Sequence, residues 1–174
     1  MSFIIDIDKD IDQLRKSKAG IPLLINGTIY SARDAAHKRL KELIEKGEPL
    51  PIDLKNRILY YMGPTPAKEG NVIGSCGPTS SYRMDDFFEM TLELGIAASI
   101  GKGSRAPFVK ELIKKYKSPY LITIGGAGAY LAKCVVSSRV IAFEDLGAEA
   151  ITELVVKEFP VIVGIDFRGN QIFT

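Results

Sequence analysis

The sequence contains few of the side chains that usually bind metal ions or cross-link a chain. Its 174 residues include two cysteines and one histidine. Cys76 and Cys134 are far apart, and neither belongs to a Cys-x-x-Cys or Cys/His spacing. They therefore predict neither a disulfide framework nor, by themselves, a zinc or iron–sulfur site. Any metal chemistry would need ligands from elsewhere.

Long apolar runs and clusters of one charge are also missing. The 23 basic and 21 acidic residues are spread along the chain and give a formal net charge of +2. This distribution predicts no nucleic-acid or membrane partner, but a small anion needs only a few local charges. The apolar start is too short for a signal peptide, and no later run approaches membrane-spanning length. We expect a cytoplasmic protein.

Apolar residues follow alternating strand and helix patterns. A chain of this length with 46% apolar residues is long enough for one core and short for two full-sized domains. We predict an α/β domain over residues 20–174, after an N-terminal segment of residues 1–19 that would suit an exposed helix or a partner contact. The predicted strands are residues 21–30, 59–62, 96–100, 120–124, 140–143, 154–156, 161–166 and 171–173, and the predicted helices are residues 32–46, 87–95, 104–117 and 129 to about 136.

A bend rich in glycine, proline and hydroxyl groups is the most informative segment. It runs from Gly74 to Asp85 as Gly-Ser-Cys-Gly-Pro-Thr-Ser-Ser-Tyr-Arg-Met-Asp. Glycine permits close approach to the backbone, proline fixes one torsion, and hydroxyls can donate to carboxylate or phosphate oxygens. Arg83 adds a planar fork that matches a carboxylate. The bend therefore predicts an anion site.

Thr79 in this bend has two interpretations. Its hydroxyl is too weakly acidic to act alone as a base at neutral pH, so a catalytic role requires a carboxylate next to it. Alternatively, Thr79, Ser80 or Ser81 caps the helix that begins near Arg83. The residue types alone leave both interpretations open.

Three cations occupy similar places in the predicted fold. Arg33, Arg83 and Lys102 each follow a predicted strand or bend and precede a helix, where ligands collect in α/β folds. Together they could clamp a dianion, although any one of them alone is typical of an ordinary surface cation. Asp34 and His37 lie close to Arg33 in sequence, and a single histidine in such a place is more often structural.

Two glycine-rich stretches do not complete a nucleotide motif. Lys102 is followed by Gly103, and position 96, where a phosphate loop needs its first glycine, is Ile96. Gly126 and Gly128 follow a predicted strand, but the third glycine of a dinucleotide fingerprint is replaced by Leu131. Both nucleotide interpretations are rejected.

Several of these blocks together resemble a known family. With these blocks in the family's order, the chain resembles the beta subunit of two-subunit, class I iron–sulfur fumarases and of the related L-tartrate dehydratases. The resemblance implies a single swivelling β/β/α domain with a mixed sheet, equivalent to the C-terminal half of the single-chain enzymes. The matching blocks are Gly27-Thr28, Arg33-Asp34 with His37, Gly63-Pro64, Gly74, Gly77-Pro78-Thr79-Ser80, Arg83-Met84-Asp85, Gly101-Lys102-Gly103, Gly125-Gly126-Ala127, Phe143-Glu144-Asp145-Leu146-Gly147 and Glu149-Ala150.

The resemblance also implies roles for individual residues. Arg33, Arg83 and Lys102, with Thr79 and Ser80, would bind the substrate carboxylates. Thr79 would accept the proton that leaves the adjacent carbon, activated by an aspartate of an alpha subunit. The resemblance places Asp34 and His37 in supporting positions.

The implied partner is an alpha subunit that holds a [4Fe-4S] cluster, with no metal ligand on this chain. The expected reaction is the reversible addition of water to fumarate to give L-malate. L-tartrate dehydration is the alternative reaction. Both reactions need a clamp for two carboxylates, so the residues named do not distinguish their substrates. A subunit that only binds an anion or stabilises its partner is the alternative outside catalysis.

Overall fold

Strands and helices alternate along the chain, and the predicted α/β class with a mixed sheet is confirmed. The structure is a computed structural model that describes residues 3–174. The strands are β1 (Phe3–Asp6), β2 (Pro22–Ser31), β3 (Ile58–Tyr60), β4 (Ala98–Gly101), β5 (Tyr120–Ile122), β6 (Val135–Ala142) and β7 (Ile151–Ile165). The helices are α1 (Ile11–Arg15), α2 (Asp34–Glu45), α3 (Asp85–Glu93), α4 (Pro107–Tyr116) and α5 (Gly128–Lys133), and 3₁₀ turns cover Ser81–Met84 and Glu144–Glu149. Within residues 3–174, no helix has both the length and the apolar character needed to cross a membrane.

The strands form one sheet that closes on itself. Their order is β1-β2-β3-β4-β5-β7-β6, with a further pairing between β2 and β7. The first five strands are parallel to their neighbours, whereas β7 is antiparallel to β2, β5 and β6. Strands β2, β3, β4, β5 and β7 therefore make a ring, which we call the strand ring.

Neighbouring residues of a strand enter two different cores, because successive side chains point to opposite faces of a sheet. In β3, Ile58 and Tyr60 belong to one core and Leu59 to the other. The first core also receives side chains from α1 and α5, and the second receives side chains from α2, α3 and α4. The sheet is thus packed on both faces, which holds its strand ends in fixed relative positions.

Strand β7 is longer than the sequence pattern predicts. Residues 154–156 and 161–166 were predicted to be separate strands, but β7 is continuous over 15 residues. A register shift opposite Asn26 separates the two pairing stretches with β2. There Glu158 has a φ of 51°, and its N–H donates to Asn26 Oδ1 at 2.7 Å. The Asn26 side chain satisfies the irregular backbone, so the strand bends without ending.

The two ends of the described chain also differ in detail from the prediction. Phe3–Asp6 pairs in parallel with residues 23–26 of β2, so this part of the N-terminal segment belongs to the sheet. Met1 and Ser2 lie outside the described residues, and the domain boundary at residue 20 stays a prediction. Of the strand predicted at residues 171–173, the structure has a single bridge between Gln171 and Ile165.

Candidate active site

The bend returns to the sheet between the ends of two strands. The Thr79 N–H donates to the carbonyl of Tyr61, directly after β3, at 2.7 Å. The Ser81 N–H donates to the carbonyl of Lys102, directly after β4, at 3.1 Å, and Ser80 forms a parallel bridge with Lys102. Residues 79–81 therefore extend the sheet beyond the carboxyl ends of β3 and β4, and they place Thr79 and Ser80 beside Lys102.

Glycines at the strand ends make room for these side chains. A Cβ at Gly101, the last residue of β4, would overlap Ser81 Oγ. A Cβ at Gly125, shortly after β5, would lie 3.4 Å from Lys102 Cδ. The Lys102 side chain therefore extends from β4 across the end of β5.

Arg33 and Arg83 approach one carboxylate. Asp34 Oδ2 lies 2.8 Å from Arg83 Nη2 and 3.8 Å from Arg33 Nη2. Arg33 follows β2 as the residue that precedes α2, and Arg83 lies in the 3₁₀ turn before α3. The Arg83 side chain is 46% exposed, and its contact with Asp34 uses one of its nitrogens. Asp34 thus orients both guanidinium groups while leaving donors of Arg83 open to a ligand.

Two further residues support Arg33. Glu149 Oε1 lies 4.0 Å from Arg33 Nε and accepts from the Ala35 N–H at 3.4 Å. A Cβ at Gly63 would lie 2.7 Å from Arg33 Cδ, so the arginine packs where only glycine fits. No role was predicted for either residue, although both stand in blocks that carry the family resemblance. Their contacts to Arg33 join segments far apart in sequence, which no local pattern indicates.

His37 lies behind Arg33. Its side chain is buried, and Nδ1 lies 2.7 Å from the Arg33 carbonyl, so we assign the proton to Nδ1 because a carbonyl only accepts. Its ring contacts Tyr61 and Phe87, each with 5.7 Å between ring centroids. Burial is the largest cause that lowers the His37 pKa below its ordinary value. His37 is therefore neutral at pH 7 and holds the backbone at Arg33.

His37 should make stability depend on pH. Its pKa is depressed in the folded chain, so below the unfolded value of about 6.5 the unfolded state binds more protons and stability falls. We expect the free energy of unfolding to drop by about 1 kcal/mol from pH 7.5 to pH 5.5. In His37→Gln this drop should disappear, because the chain has no other histidine. Urea unfolding at both pH values measures it, and equal drops in the two proteins would contradict the assignment.

The hydroxyl groups of the bend do not act as helix caps. Ser80 precedes the 3₁₀ turn and Met84 precedes α3, and within residues 3–174 neither position has a side-chain capping hydrogen bond. Thr79 and Ser80 are half-buried at the strand ends. The capping interpretation of Thr79 and its neighbours is therefore wrong for this structure.

The described residues do not offer a set of ligands for a metal centre. Within residues 3–174, no group of three or more His, Cys, Asp or Glu side chains is placed to hold a metal ion. Cys76 is buried, and burial raises its pKa to about 11, so it is a neutral thiol at pH 7. Neither a cluster site nor a thiolate nucleophile follows from this geometry.

Comparison with known proteins identifies the family of the chain. A family model described as "Fumarase C-terminus" matches residues 2–174. The chain belongs to the fumarase C-terminus family. One of its curated relatives is "Fumarate hydratase 2" of Leishmania major, which is 38% identical over 170 residues, covering 97% of this chain and 30% of the relative.

Two other relatives of this fumarase C-terminus chain differ in how much of their length they share with it. "Fumarate hydratase class I, aerobic" of Escherichia coli (strain K12) is 37% identical over 163 residues, or 92% of this chain and 30% of the relative. "Putative L(+)-tartrate dehydratase subunit beta" of Methanocaldococcus jannaschii is 39% identical over 166 residues, or 92% of this chain and 85% of the relative. The chain thus spans three tenths of these fumarate hydratases and most of the subunit.

Proposed function

We propose that this chain is the beta subunit of an iron–sulfur hydro-lyase, and that the assembled enzyme adds water reversibly to fumarate to give L-malate. One observation carries the proposal. The ends of β2, β3 and β4 bring an Arg33–Asp34–Arg83 cluster and the Thr79–Ser80–Lys102 group to one edge of the sheet. This is the edge where ligands bind in parallel α/β sheets.

The cations suit a dicarboxylate. An arginine fork can bind a carboxylate through two parallel hydrogen bonds, whereas lysine supplies a compact charge. Arg33, Arg83 and Lys102 would bind the two carboxylates and stabilise the negative charge that develops when a proton leaves the adjacent carbon. Ser80, in backbone contact with Lys102, would donate its hydroxyl to the same anion.

Thr79 is the proposed proton acceptor. Its hydroxyl needs a carboxylate to become a base, and Asp34 is already engaged by two arginines. The activating carboxylate would be the aspartate of the alpha subunit that the family resemblance implies. His37 and Asp34 would support the site by holding Arg33 and Arg83 in place.

The proposed partner is an alpha subunit that holds the [4Fe-4S] cluster implied by the family resemblance. Within residues 3–174 no set of side chains fits a cluster, so the cluster would be held by the partner. Two relatives support a partner. The chain aligns with 30% of a longer fumarate hydratase, and with 85% of a protein named as a subunit beta. In such an enzyme the chain would act as a swivelling β/β/α domain in the cytoplasm.

L-tartrate dehydration is a second candidate reaction, because one relative is named as a tartrate dehydratase subunit. Co-expression of the chain with a cluster-bearing alpha subunit under anaerobic conditions would test both reactions. Fumarate, L-malate and tartrate should be assayed side by side with the same preparation. We expect turnover of fumarate and L-malate to exceed that of tartrate. An intact cluster without turnover of any of the three would rule out the hydro-lyase function.

Arg83→Ala should weaken substrate use by the assembled enzyme. Removing a charged hydrogen-bond donor from a carboxylate is expected to lower kcat/KM for fumarate by about thirtyfold. Arg139→Ala is the matched control, because Arg139 is also an exposed arginine with one carboxylate contact, 3.1 Å from Glu153. Steady-state kinetics and gel filtration of both complexes measure activity and assembly. Equal kcat/KM values in the two variants would contradict a substrate role for Arg83.

A further inference from the structure

A buried ion pair joins the two segments that carry Arg83 and Lys102. Asp85 is 4% exposed, and its Oδ1 accepts a hydrogen bond from Nε of Arg105, whose side chain is fully buried. The other oxygen of Asp85 accepts from the Ala106 N–H at 2.7 Å. One carboxylate near Arg83 therefore holds both the backbone and a side chain of the segment that follows Lys102.

Tyr120 makes a second link between the same segments. Its hydroxyl donates to the carbonyl of Gly103 at 2.9 Å and lies 2.8 Å from Ser81 Oγ. Ser81 belongs to the segment of Arg83, and Gly103 directly follows Lys102. The Ser81–Lys102 backbone hydrogen bond is a third link. The two segments are therefore joined by this bond, by the Asp85 carboxylate and by the Tyr120 hydroxyl.

Aromatic rings surround the buried guanidinium. The Arg105 Cζ lies 4.4 Å from the ring centroid of Phe88, 4.8 Å from that of Tyr120 and 5.5 Å from that of Tyr61. Such contacts offset part of the cost of removing the charge from water. A buried ion pair usually adds little net stability compared with apolar residues of similar size. The geometry that this pair imposes is the better explanation for its presence.

We propose that Asp85, Arg105 and Tyr120 form a positioning cluster that fixes the spacing between Arg83 and Lys102 and thereby selects dicarboxylates by length. The inference rests on the proposed function in taking a dicarboxylate as the ligand. Two cations on separate segments hold two carboxylates well at only one separation, and a displacement of about 1 Å can be costly. A looser junction would admit a ligand with one more methylene.

The test compares how the assembled complex binds succinate, with four carbons, and glutarate, with five. Calorimetric titration measures both dissociation constants for the wild type, Tyr120→Phe and Asp85→Asn. We expect the wild type to bind succinate about tenfold more tightly, and each variant to lower this ratio at least about threefold. Ile113→Val is the control, because Ile113 is fully buried on α4, which follows Arg105. It should lower the melting temperature and leave the ratio unchanged.

Each outcome of this comparison either supports or overturns the positioning role of the cluster. A ratio that is unchanged in both cluster variants, or that falls equally in Ile113→Val, overturns the positioning role. A wild type without preference overturns it too. A changed ratio in a complex that turns over neither fumarate nor tartrate supports the cluster and rejects the proposed reaction. Variants that do not assemble are replaced by Arg105→Lys, which keeps the charge and loses the planar fork, and the same ratio is read.

Discussion

Thr79→Ala is expected to lower kcat of the assembled enzyme by about 10²- to 10⁴-fold, the usual contribution of a positioned base. The substitution removes the proposed proton acceptor but keeps the Thr79 N–H, which holds the bend on Tyr61. The assembly with the alpha subunit should therefore change little, and the binding of succinate should weaken by no more than about tenfold, the loss of one hydrogen bond. Steady-state kinetics, calorimetric titration and gel filtration together measure these three properties.

Thr79→Ser is the control for this prediction. It restores a hydroxyl at the same backbone position, so it should recover at least about tenfold of the activity that alanine loses. If alanine at position 79 leaves kcat unchanged but weakens assembly, the chain is an assembly subunit and not a catalytic one. The serine variant separates loss of the hydroxyl from loss of the threonine methyl group.

Gly74→Ala should destabilise the fold by about 3 kcal/mol, at the upper end of the usual cost of overpacking. A Cβ at Gly74 would overlap the carbonyl oxygen and carbon of Thr65, which are backbone atoms and cannot rotate away. The Thr65 side chain also accepts the Ser75 N–H at 2.8 Å. The clash would therefore push Thr65 away from residues 74 and 75 and disrupt their hydrogen bond at the start of the bend.

Gly70→Ala in the same loop is the matched control. Gly70 has a φ of 82°, and a Cβ there would meet no atom of residues 3–174 within 4 Å. Its replacement should cost only the strain of a left-handed backbone, about 1 kcal/mol. Denaturant unfolding of both variants compares the two costs. Equal destabilisation would mean that contact with Thr65 does not decide the result.

Most residues of the candidate site could be proposed from the sequence, because their places follow from the order of strands and helices along the chain. Lys102 directly follows β4, Arg33 follows β2 after one residue, and parallel strands bring their carboxyl ends to one edge. The glycine and proline bend also marked where the chain leaves regular structure. The role of Asp34 between two arginines could not be read in this way, because Arg83 reaches it from 49 positions away in sequence.

The sequence could not predict the features that depend on distant partners. β7 continues through Pro160 because Asn26 of β2 satisfies the bulge at Glu158. Residues predicted to end a helix near 136 instead begin β6 at Val135, which pairs with Val156. No local pattern marks Arg105, because Asp85 and Phe88 reach it from another segment of the chain. Local propensity yields to pairing and packing in each case.

The closed strand ring has a consequence for how the chain folds. β2 pairs along its length with β7, so residues 22–31 must find residues 152–162 across most of the chain. Contacts of such long sequence separation slow folding, because the loop entropy must be lost before the pairing compensates for it. During synthesis β2 leaves the ribosome long before β7 has been made. Until then, the edge of β2 that pairs with β7 keeps its backbone N–H and C=O groups unpaired. The strand ring therefore makes synthesis the period when this chain is most prone to aggregate.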